Sequence, residues 1–114
     1  MEKKNESTLN IEALKDKYGK LYAITATLAE DDDSNREVSY YFKKPTALSY
    51  DRFVKTASTG ATKASRAFVL DAVVEEQRPL LVADLEEYPA LVLTMSDKLL
   101  ALLGLSQEAT VKKL

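Results

Sequence analysis

Three observations in the sequence predict an α+β fold, a two-stranded antiparallel β-hairpin packed with four to five helices. Apolar residues alternate at period two from about 21 to 29 and again from about 36 to 43. The run Glu30-Asp31-Asp32-Asp33-Ser34-Asn35 between them combines charge with turn formers, as a solvated hairpin loop does. After Pro45 the apolar spacing changes to that of helices and stays so. Strands followed by a run of helices make one α+β domain over residues 1–114. Its core is expected at about 10–105, with flexible N-terminal residues and a polar tail over 106–114.

Each element has a local reason. Ile11, Leu14 and Tyr18 recur at helical spacing, Asn10 is placed to cap them, and Gly19 supplies a stop. In the first strand Tyr22, Ile24, Ala26 and Leu28 share a face, and in the second Val38, Tyr40 and Phe42 do. Pairing Ala26 with Val38, Ile24 with Tyr40 and Tyr22 with Phe42 keeps the large apolar side chains on one side, as a half-buried sheet requires. Ser49 is the expected cap of a helix carrying Tyr50, Phe53, Val54 and Ala57 as one stripe. Gly60 interrupts or ends it, and Ala61 to Val74 reads as the next helix. Arg78-Pro79 marks a boundary, a short helix runs from Leu80 to about Glu87, and a longer one from Ala90 to Leu103 ends at Gly104. A bare hairpin leaves two open edges, which are pairing sites for another chain unless something covers them.

Composition narrows the function classes. The chain has no Cys, His or Trp, so thiolate nucleophiles, imidazole bases, thiolate or imidazole metal sites and disulfides are excluded. The expectation is a protein that is not an enzyme and needs no cofactor. Hydrophobic residues at 46% allow a core, and a net charge of -2 offers no general attraction to nucleic acid or anionic lipid. The longest nearly apolar stretch, Leu99 to Leu105, falls far short of the roughly 20 residues that span a bilayer. With no apolar segment of a secretory signal near the start, the expected location is the cytoplasm, and the Asn5-Glu6-Ser7 sequon is idle.

Two motifs resemble known ligand loops and fall short. Asp31, Asp33 and Asn35 match the first ligands of a calcium loop, but Arg36 stands where glycine is needed and Phe42 where a bidentate glutamate is needed. Ser58-Thr59-Gly60-Ala61-Thr62-Lys63 has one glycine, and Lys63 precedes Ala64 where a phosphate loop has Ser or Thr, so a joint between helices is the better reading. Tyr41, alternating away from the core face with Ser39 and Lys43, is an exposed aromatic available for contact.

Charge falls in blocks. Residues 28–42 sum to -4, 43–66 to +5 and 67–89 to -5. The basic block holds Lys43, Lys44, Arg52, Lys55, Lys63 and Arg66 with Tyr50 and Phe53 interleaved, an alternative surface for nucleic acid in a small regulatory protein. Acidic neighbours on both sides repel a phosphate backbone and favour a partner of mixed charge, so nucleic acid is the weaker expectation. The last helix carries more leucine than docking needs. Leu91, Met95, Leu99, Leu102 and Leu103 are either a central core stripe or part of a partner surface.

The order of Lys17-Tyr18-Gly19-Lys20-Leu21-Tyr22, the hairpin ending Tyr41-Phe42-Lys43-Lys44-Pro45, Tyr50-Asp51-Arg52-Phe53, Lys63-Ala64-Ser65-Arg66 and Lys98-Leu99-Leu100-Ala101-Leu102-Leu103-Gly104 resembles small tail assembly chaperones of tailed bacteriophages and prophages. The likeness covers roughly residues 15–105 and rests on layout and soft motifs. It implies a non-enzymatic role in the host bacterial cytoplasm, coating the tape measure protein until tail tube subunits polymerise around it. It also implies contact with other tail components and self-association, and in some members a frameshifted, extended form. On that reading Tyr41, Leu91, Met95, Leu99, Leu102 and Leu103 are the expected partner contacts.

Overall fold

In the computed structural model, residues 10–106 and 108–114 are described. The expected flexible N-terminal residues and the Asn5 sequon lie outside them. Helix α1 (Ile11–Tyr18) is followed by strands β1 (Leu21–Ala29) and β2 (Asn35–Lys43). Helices α2 (Ala47–Ala57) and α3 (Ala61–Ala72) come next, then a 3-10 turn (Glu75–Gln77), α4 (Arg78–Glu87) and α5 (Leu91–Leu102). The fold is α+β.

Local chemistry explains most boundaries. The Asn10 side chain accepts from the Ala13 N–H at 3.1 Å and caps α1, and Gly19 at φ 86 turns the chain out of the helix. The hairpin pairs Ala26 with Val38, Ile24 with Tyr40 and Tyr22 with Phe42, the register that the alternation predicts. Asp31 closes the loop: its Oδ1 accepts from the Asp33 N–H, the Ser34 N–H and the Ser34 hydroxyl, each at 2.9 Å. These bonds, that from the Asp33 N–H foremost, hold its carboxyl below its ordinary pKa. The loop is thus held by an Asx turn.

Three helix limits differ from expectation. Helix α4 starts at Arg78, two residues before Leu80, because Arg78 takes helical angles (φ -56, ψ -46) and Pro79 fits the first turn. Thr46, not Ser49, caps α2, its side chain accepting from the Ser49 N–H at 3.0 Å. Ser49 is one turn inside and buried, because the inward side of α2 runs from Ser49 through the half-buried Phe53, Thr56 and Ala57 and leaves Tyr50 and Val54 in solvent. Helix α3 stops at Ala72 because Val73 takes extended backbone angles and bridges to Phe42 of β2. At the far end, Gly104 at φ 109 completes a Schellman motif, with the Leu105 N–H on the Leu100 carbonyl at 3.1 Å and the Gly104 N–H on the Ala101 carbonyl at 3.2 Å. Residues from Ser106 onward, apart from Gln107, which is outside the described set, are exposed and without regular structure.

The core lies between one face of the hairpin and helices α3, α4 and α5. Ile24, Val38, Tyr40 and Phe42 meet Phe68, Val69, Val73, Leu81, Leu85, Val92, Met95 and Leu99. Helix α5 is central: Leu91, Val92, Met95, Ser96 and Leu99 are buried. No helix among the described residues is long and apolar enough to cross a membrane.

The hairpin edges are not equivalent. At β2, the Tyr41 carbonyl accepts from the Val74 N–H at 3.0 Å and the Tyr41 N–H donates to Gln77 Oε1 at 2.8 Å. The β2 edge is therefore covered, with residues 73–77 acting as a short third rung.

Candidate interaction surface

The structure divides the expected partner residues. Leu91, Met95 and Leu99 are corrected from contacts to core, at 4%, 0% and 0% exposure, because they face the hairpin and α3. Leu102 and Leu103 are half-buried against the same core. Tyr41 is half-buried, and its backbone is spent on Val74 and Gln77. On α5 it is Leu93 that stands in solvent, at 52%.

Three exposed large apolar residues stand on α2, whereas Leu80, Leu93, Leu105, Val111 and Leu114 are spread over α4, α5 and the tail. Leu48, Tyr50 and Val54 are 65%, 43% and 49% exposed. Helical spacing sets Tyr50 beside Val54 on one flank and Leu48 with Arg52 and Lys55 on the other. Between α2 and α3 lies an open groove of about 190 Å³, lined by Ser49, Arg52, Phe53, Thr56, Ala64, Ala67, Phe68 and Asp71. Its floor is the Phe53–Phe68 pair, with ring centroids 5.0 Å apart. Small residues at 64 and 67 leave the room, and Arg52 and Asp71 give the lining both charges.

The basic block does not form one uniform patch. Lys44, Arg52, Lys55 and Lys63 are exposed and Arg66 is half-buried. Lys43 is half-buried, its ammonium 5.5 Å from the centroid of the Tyr18 ring. Asp51 and Asp71 stand exposed on the same two helices.

Two polar clusters join distant parts of the chain and escape a reading by motif. Asp84, buried on α4, accepts the Tyr40 hydroxyl on Oδ2 and Arg36 Nη2 on Oδ1 at 3.0 Å. Burial first, and then the Asp84 carboxylate, push the Tyr40 hydroxyl well above its ordinary pKa. Tyr18 donates to Glu76 Oε1 at 2.8 Å and accepts from the Glu75 N–H at 3.2 Å, and Lys17 reaches Glu76 Oε2 at 3.1 Å. The one signal for Asp84 is an acid between Leu81 and Leu85 on the buried face of a short helix. Both clusters fasten α1 or the hairpin to the helical layer, and every buried side-chain polar atom among the described residues is satisfied. Among the same residues no group of three or more acids is placed to hold a metal ion.

No curated protein matches the chain. It is similar to the solved structure of the uncharacterised protein rbstp2171 from Bacillus stearothermophilus, with 28% identity and a TM-score of 0.79 over 90% of this chain and 100% of that one. A family model described as a domain of unknown function, DUF6848, matches residues 14–112, from the buried Leu14 of α1 through every element above into the exposed tail, and the chain belongs to that family.

Proposed function

We propose that the protein is a non-enzymatic binding protein, a tail assembly chaperone of the phage or prophage kind that holds the tape measure protein in the bacterial cytoplasm during tail morphogenesis. The observation that carries the reading is the apolar set on α2. Leu48 lies in solvent with Arg52 and Lys55 on one flank of the helix, and Tyr50 and Val54 lie in solvent on the other, with the Phe53 groove between α2 and α3. Exposed apolar residues rimmed by charge suit reversible contact with a long amphipathic helix, which lays anchors at i, i+3, i+4 and i+7 into such a groove. The resemblance of the sequence layout to tail assembly chaperones suggests the tape measure protein as that helix.

The test is co-expression with a tape measure protein from a tailed phage or prophage of the same host, followed by size exclusion. A soluble complex is expected, lost on Leu48→Asp with Val54→Asp while the hairpin and core stay folded. A tape measure protein that stays insoluble, with no complex recovered, overturns the proposal.

A further inference from the structure

The two edges of the hairpin differ in a way that assigns one of them a partner. Alternation in an antiparallel ladder sends the backbone groups of successive residues to opposite sides of the strand. Tyr41 bonds outward to Val74 and Gln77, so its cross-strand neighbour Ala23, and with it Thr25 and Thr27, direct their N–H and C=O groups to the free side of β1. No backbone hydrogen bond reaches those groups from any described residue. Helix α1 does not cover them, since Tyr18 and Lys17 tie its end to Glu75 and Glu76 on the β2 side.

This edge also lacks the features that keep edges apart. Leu21–Ala29 is nine residues long with no charge, no proline and no bulge, whereas β2 carries Arg36, Glu37 and Lys43. Burial tells the same story from the inner face. Val38, Tyr40 and Phe42 on β2 are buried, while Tyr22, Ala26 and Leu28 on β1 are only half-buried, so the apolar layer stops short at the free strand.

We propose that β1 pairs antiparallel with β1 of a second copy of this chain, Thr25 opposite Thr25 on a two-fold axis, to give a four-stranded sheet. That register overlaps all nine residues and sets Ala23 opposite Thr27 of the partner copy. It also places Lys20 opposite Glu30 of the other copy, and so brings the lysines at the end of α1 toward the acidic loop at both rims. The half-buried Tyr22, Ala26 and Leu28 of the two copies then adjoin across the axis and extend one apolar layer. This pairing is independent of what α2 binds, and a failure of either proposal leaves the other standing.

The test uses the full chain in sedimentation velocity across a concentration series. A dimer is expected, with Ala23→Lys plus Thr25→Lys raising its Kd by about tenfold or more, because the like charges at 25 face each other across the axis and those at 23 sit diagonal to them. Thermal melts of that variant as a monomer establish that it folds. Because the chain has no cysteine, Thr25→Cys gives one reporter thiol per copy, and it should oxidise to a covalent dimer far faster than the exposed control Thr62→Cys. Lys20→Glu should weaken the dimer and Lys20→Glu with Glu30→Lys should restore it. A wild-type chain that stays monomeric throughout, or a dimer indifferent to the lysines at 23 and 25, overturns the pairing.

Discussion

Asp84 joins two elements that lie far apart in the chain. Its two oxygens hold Tyr40 and Arg36 of β2 against α4. Asp84→Ala leaves the buried Tyr40 hydroxyl without its acceptor, and a loss of about 1–3 kcal/mol is expected by urea denaturation. Asp84→Asn, which keeps an acceptor, should cost less. The same site predicts a pH effect. With its folded pKa raised, Tyr40 contributes stability that is complete below the ordinary tyrosine range and falls away as pH rises through it toward the folded value. An ultraviolet phenolate titration should show one of the six tyrosines resisting ionisation until the protein unfolds, and Tyr40→Phe should remove that late step. Asp31 acts with the opposite sign. Its depressed carboxyl contributes above the ordinary carboxylate range and loses that contribution as pH falls through its folded value. Acid melts of Asp31→Asn, which keeps the Asx turn without the charge, should therefore be flatter than wild type.

At the level of elements, capping explains what periodicity leaves open. Ser49 and Thr46 are both capping residues three apart, and the one whose oxygen meets a free N–H wins. Thr46→Ala should cost about 1 kcal/mol by chemical denaturation. The end of α5 depends on backbone, since Gly104 at φ 109 sits where a β-carbon is strained. Gly104→Ala is expected to lower stability by about 1–3 kcal/mol although nothing lies within 4 Å of the added carbon. The hairpin was legible down to its register, because period two on both sides of a short polar loop leaves little choice once one face is apolar. The end of α3 was not. Ala72 and Val73 continue an apolar pattern that a helix and a strand share, and only the bridge to Phe42 decides between them.

Across the whole molecule, the position of α5 governs both stability and the place to look for partners. Leu99→Ala should cost about 2–5 kcal/mol, whereas Leu93→Ala on the same helix should stay within about 0.5 kcal/mol, read as shifts in the urea midpoint. Equal costs would contradict the central placement. A leucine-rich helix reads alike whether it is wrapped by its own fold or bared to a partner, so the sequence left α5 undecided between core and surface. The same limit applies to α2, where Tyr50 and Val54 look like a core stripe until the packing against α3 selects Ser49, Phe53 and Thr56 instead.

By itself the sequence determined the fold class, the strands and their pairing, the main helices and the absence of histidine and cysteine chemistry, since these follow from local periodicity, turn residues and composition. Tertiary structure alone decided which apolar face of each helix is inside, which hairpin edge is covered, and that Asp84 is a buried anchor. Those outcomes depend on contacts between residues such as Tyr40 and Asp84 or Tyr41 and Gln77, far apart along the chain, and no local pattern encodes which of several apolar or polar surfaces will meet.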